Sequence, residues 1–193
     1  PTLIDNCFSP ASLRQFDQFA GIRLSSSAST SEKSAEILSK HRSAWIDFKV
    51  NTIASWVEEA CRIRDRERPE VWIGLFAVPW LPDDFDGAIR NIAGQDFKIL
   101  AENVDVFSPM VYHRLCGKTT PWIGQVTLSV QNQTGKPVWP IVQATGEPGV
   151  MDATEFLDAI REGARASSKG VILFTAAHIE NEKRWPEVKQ IFH

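Results

Sequence analysis

VWIGLFAVPWLPDDFDGAIRNIAG, residues 71–94, carries the pattern that decides the fold. Residues 71–78 are a short apolar run ended by Pro79, as expected for a strand buried on both faces. Residues 83–94 then read as a short helix, with Asp83 and Asp84 at its start and Gly94 as its stop. The alternation continues to the end of the chain. DFKILAENV (96–104) is a second helical piece, with Asp96 as its cap, and VDVFSPMVY (104–112) the next strand. TPWIGQVTLSVQNQTG (120–135) is a helix closed by glycine, PVWPIVQA (137–144) a third strand, and DATEFLDAIREGARA (152–166) an amphipathic helix capped by Asp152. GVILFTAA (170–177) is a fourth strand and a last helix covers about 180–191.

Four strands alternating with helices predict parallel pairing through right-handed crossovers. Upstream, residues 8–20 have helical spacing, Ser9-Pro10 as cap and first-turn residue, and Gly21 as stop. The serine-rich residues 24–31 read as a surface loop. One long helix is expected over about 32–66, with Ile46, Val50, Ile53, Val57, Ala60 and Cys61 as its core stripe, widened by Trp45, Phe48 and Trp56. An eight-fold barrel needs about 250 residues. This chain has 193, and no G-x-G-x-x-G follows its first strand to suggest an open dinucleotide-binding sheet. The expected class is therefore α/β with four parallel βα units, which fit either a small open sheet or a partial (β/α)8 barrel. The chain is taken as one domain, with a helical lead-in over 1–70 and the βα units over 71–193.

At 43% hydrophobic and 23% charged, the chain can bury a core and is not disordered. A net charge of −3 without a basic cluster argues against nucleic acid as a partner. No apolar run reaches the roughly 18 residues that span a membrane. The chain opens at Pro1 without a signal-like segment, so an upstream segment is expected and the location stays open. Cys7, Cys61 and Cys116 are too few and too irregular for a disulfide framework, and Cys61 reads as a core residue. His113 and Cys116 lack the further ligands that zinc needs, so neither metal nor cofactor is expected.

LFAVPW (75–80), DDFDGAIRNIAGQDF (83–97), VDVFSPMVYH (104–113) and GKPVWPIVQA (135–144) resemble a bacterial family of glycoside-hydrolase-like TIM barrels. NCFSPASLRQFDQFAG (6–21) is similar to the stretch after the fourth strand in that family. The resemblance implies that residues 71–177 supply strands five to eight of such a barrel, with strands one to four upstream.

In such barrels, catalysis sits at the C-terminal ends of the strands. That rule selects Tyr112, the only tyrosine, whose hydroxyl either binds a sugar or is satisfied in the core. It also selects His113 beyond it and Gln143, whose buried amide pairs either with backbone or with a ligand hydroxyl. Trp80 either stacks on a sugar ring or packs over the rim. These four residues are the expected substrate contacts. Glu147, in the TGEPG loop, and Asp83 and Asp84 are the weak catalytic candidates; helix capping also explains both aspartates. Asp105, at the start of its strand, is expected to serve stability, and Trp122 and Trp139 are expected in the core. Glycoside hydrolysis generally uses two carboxylates, about 5–5.5 Å apart for retention or about 6.5–9.5 Å for inversion. No convincing pair stands in this half.

The expected activity is hydrolysis of an O-glycosidic bond in a poly- or oligosaccharide. The alternatives are a non-catalytic carbohydrate-binding barrel and an inactive fragment. Four such strands alone leave a sheet face and two edges open, so either a missing N-terminal half-barrel or self-association through that sheet is the expected partner.

Overall fold

The computed structural model describes residues 5, 7–166 and 169–192. The chain divides into two compact units, Pro1–Ala60 with Pro82–Asp96, and Cys61–Leu81 with Phe97–His193.

The first unit is helical. Helix α1 (Pro10–Ala20) starts where Ser9 Oγ accepts the Ser12 amide and stops at Gly21, whose φ of 64° is the left-handed turn that glycine tolerates. The expected single helix over 32–66 is two helices. The serine-rich stretch supplies Ser29, which forms a reciprocal capping box with Glu32 and starts α2 (Thr30–Lys40). The chain breaks at His41, and α3 spans Arg42–Glu67, its residues from Cys61 onward belonging to the second unit. An aromatic cluster joins these helices, with the Phe8 and Trp45 rings stacked at 4.8 Å and Phe16 edge-on to Trp45 at 5.1 Å. Trp45 and Phe48 lie in this core as expected, but Trp56 is 77% exposed. Of the expected stripe, Ile46, Val50 and Cys61 are buried, Ile53 and Val57 are half-buried and Ala60 is exposed. The expected helix over 83–94 shrinks to α4 (Ala88–Asn91), because Phe85, Asp86 and Gly87 all take positive φ. Gly87 stands at its N-cap, so neither Asp83 nor Asp84 caps it.

The second unit is α/β. Its strands are β1 (Gly74–Ala77), β2 (Val106–Pro109), β3 (Ile141–Gln143) and β4 (Ile172–Phe174), with α5 (Phe97–Leu100) before β2. Helix α6 (Pro121–Thr134) ends at Gly135 and α7 (Ala153–Arg165) begins on Asp152, both as the sequence indicates. The expected last helix is split into α8 (Ala176–Asn181) and α9 (Trp185–Ile191), with Lys183 between them at a φ of 55°.

Strands β1 and β2 pair in parallel with Gly74 opposite Val106, and β3 and β4 with Ile141 opposite Ile172. A parallel bridge between Phe107 and Val138 links the two pairs. The strands therefore lie side by side in chain order, and the described residues form a mixed α/β fold with short parallel strands and no closed barrel. Each strand is shorter than its apolar run. Val104, Val111, Val138 and Ala144 are fully buried outside the ladders, so burial extends past the hydrogen bonding. Every residue of β2 and β3 is buried, whereas Phe76 in β1 is 62% exposed and Phe174 in β4 is 50% exposed. The outer strands thus present aromatic surface that the inner strands do not.

Candidate functional site at the strand ends

Parallel register sets the C-terminal ends of the strands on one side, with Ala77 opposite Pro109 and Gln143 opposite Phe174. The chain leaves β2 through Tyr112 and His113, and leaves β3 through Thr145, Gly146 and Glu147. Tyr112 is half-buried, and its ring lies 5.7 Å from that of Phe174 at an interplanar angle of 32°. Burial pushes its phenol above the ordinary value.

Gln143 is 1% exposed and its amide is occupied by main chain. Oε1 accepts the Leu115 amide at 3.3 Å, while Nε2 donates to the Thr145 carbonyl at 2.9 Å and to that of Glu147. A buried amide must find such partners, and here the loop that follows its own strand provides most of them.

His113 is buried, and Glu155 in the first turn of α7 reaches it, Oε1 lying 3.1 Å from Nε2. The other carboxylate oxygen of Glu155 accepts from Arg114 Nη1 at 2.8 Å. Nδ1 of His113 is buried without a partner among the described residues. Burial holds the imidazole below its ordinary value, partly opposed by Glu155. Glu155 and Arg114 were not among the sequence candidates. The signal for Glu155 was faint: Asp152-x-x-Glu155 reads as helix capping, and Asp152 Oδ1 does accept the Glu155 amide at 2.8 Å.

Glu147 is exposed, and its carboxylate has no hydrogen bond or ion pair with the described residues. Glu182, between α8 and α9, accepts the Gly146 amide at 3.0 Å and the Arg184 guanidinium at 2.8 Å. Burial works to raise its carboxyl, but the amide and the guanidinium outweigh it and hold the group below its usual range.

Trp80 is half-buried in the segment after β1. Asp83 and Asp84 belong to the first unit, so the second unit does not bring them together with Tyr112, His113 or Gln143. At the opposite strand ends, Asp105 Oδ2 accepts the Ile73 amide at 2.8 Å and Arg64 Nη1 at 2.6 Å, tying the starts of β1 and β2 to α3. Trp122 is buried, and Trp139 is half-buried and stacked on Trp72 at 5.9 Å. The Cys61 thiol is buried and donates to the Asn103 carbonyl at 3.4 Å. Among the described residues, no three His, Cys, Asp or Glu side chains gather as a metal site. No described helix is long and apolar enough to cross a membrane.

No family model matches the chain, and no curated protein matches it. Among solved structures it is similar to the X-ray structure of the endo-beta-1,4-mannanase from Thermotoga petrophila, with 12% sequence identity and a TM-score of 0.49. The match covers 84% of this chain and 46% of that one, so the chain spans about half the length of that enzyme chain.

Proposed function

We propose that the strand-end face of the second unit is the sugar-binding side of a glycoside-hydrolase-like barrel. It acts on O-glycosidic bonds of a poly- or oligosaccharide and is completed by further βα units beside the outer strands. The observation that carries this reading is Phe174, 50% exposed at the end of β4 and paired with Tyr112. A sugar ring has an apolar C–H face that packs on an aromatic ring and a hydroxyl rim that seeks polar partners. The sequence resemblance to glycoside-hydrolase-like barrels points the same way.

Of the strand-end carboxylates in this unit, Glu155 and Glu182 are engaged by guanidinium groups, which leaves Glu147 as the acid/base candidate. Its partner carboxylate would come from the completing units. The same engagement favours a second reading, a carbohydrate-binding barrel without catalysis.

The test is full-length protein incubated with a panel of glycans, scored for binding and for new reducing ends. Cleavage supports the first reading, and binding without cleavage selects the second. Absence of both, or a Phe174→Ala variant that binds as well as wild type, sinks the assignment of this face.

A further inference from the structure

The loop between β3 and α7, residues 145–151, is fastened along almost its whole main chain by four side chains from three other segments. Gln143 holds the carbonyls of Thr145 and Glu147. Arg114 donates to the Pro148 carbonyl at 3.2 Å and the Val150 carbonyl at 2.7 Å. Arg184 donates to the Met151 carbonyl at 2.6 Å, with its guanidinium 4.9 Å over the Phe156 ring. Glu182 takes the Gly146 amide. The loop also folds tightly on itself: a Cβ at Gly146 would lie 2.8 Å from the Gly149 carbonyl oxygen and 2.9 Å from the Met151 nitrogen.

Connecting loops ordinarily lie in solvent and are mobile, and a ligand that uses one must order it. This loop is ordered beforehand. Within it, Glu147 stands apart. Its carbonyl goes to Gln143 and its amide lies 3.4 Å from Thr145 Oγ1, yet its carboxylate is exposed and unpaired among the described residues. Both guanidinium groups at the loop are occupied, Arg114 by Glu155 and Arg184 by Glu182.

We propose that residues 145–151 are a preformed wall of the sugar site and that Glu147 is its specificity group, accepting hydroxyl hydrogen bonds from a neutral saccharide. Arg114 is a positioning residue that acts through Glu147. An ionised carboxylate is acceptor-only, which suits vicinal hydroxyls and repels a uronate. The inference rests on the carbohydrate reading above.

The test uses full-length protein and calorimetric titration with neutral gluco-, manno- and xylo-oligosaccharides beside uronate-containing ones. Neutral sugars bind at least about tenfold more tightly than uronates, and Glu147→Gln weakens the neutral sugar about tenfold. Arg114→Gln weakens it similarly and speeds hydrogen exchange at the Gly146 amide, while Arg114→Lys gives smaller changes in the same direction. In a Glu147→Gln background, Arg114→Gln costs no further affinity, because the two residues act as one unit. Additive losses, equal binding of uronates, or wild-type affinity in Glu147→Gln overturn the inference while leaving the carbohydrate reading intact. Wild-type protein that binds no saccharide overturns both.

Discussion

Nε2 of His113 lies 3.1 Å from Oε1 of Glu155, so the exit of β2 is fastened to the first turn of α7 across 42 positions of sequence. The histidine is buried and its imidazole sits below the ordinary value of 6.5.

That placement sets a pH dependence. Well above pH 6.5, both the folded and the unfolded imidazole are essentially neutral, and the contribution of the group to stability is complete. As pH falls below 6.5, the unfolded chain takes up a proton that the buried ring resists, so stability declines until the folded value is passed. His113→Gln should flatten this slope. Urea midpoints measured from pH 7.5 downward check it, and parallel slopes for both proteins would contradict it.

Asp105 should matter for stability and not for ligand binding. Burial works to raise its carboxyl, but the Ile73 amide and Arg64 hold it below its usual range. Asp105→Ala leaves both donors without their acceptor and should cost about 1.5–2 kcal/mol, the low end for a charged hydrogen bond because the side chain is partly exposed. Asp105→Asn keeps an acceptor for the amide and should cost less. Equilibrium denaturation of the two variants gives the ordering.

Gly124 and Gly163 should respond to alanine with opposite signs. A Cβ at Gly124 in α6 would meet Glu162 Oε2 at 2.8 Å, the far end of a side chain that can swing aside. The gain in helix propensity then dominates, up to about 1 kcal/mol. A Cβ at Gly163 in α7 would lie 3.2 Å from both the Pro140 ring and the Val142 side chain, which the sheet holds in place. Gly163→Ala should destabilise, as read from thermal midpoints of the pair.

In the first unit, Lys49 Nζ contacts Asp5 at 2.7 Å and the Asn91 carbonyl at 2.9 Å, with both side chains largely buried. Lys49→Met removes the charge opposite the Asp5 carboxylate and should cost about 3 kcal/mol. Adding Asp5→Asn should recover part of that loss. A double variant no more stable than Lys49→Met would show that the pair is not the cause.

The elements legible in the sequence are those with local punctuation. Ser9-Pro10 with Gly21, Pro121 with Gly135, and Asp152 all act within a turn of their helices, so a single sequence displays them. Parallel pairing followed from the alternation of apolar runs and helices. The break at His41 was invisible, because α2 and α3 each continue the helical spacing and the interruption is one residue long. Strand lengths were overstated because buried valines continue beyond the ladders. The strand-end placement of Tyr112 and Gln143 was legible because each closes an apolar run. Glu155 was not legible, because its tie to His113 is made by the packing of α7 on the sheet.

The chain has a single tyrosine, and it stands at the strand ends against Phe174. Biosynthetic replacement by 3-fluorotyrosine would therefore place one fluorine nucleus in the whole chain, and its resonance would need no assignment. Ligand arrival at this face, or rotation of the neighbouring phenyl ring, would reach that one line directly. Tyr112 is thus a single phenol reporter of the strand-end face within these 193 residues.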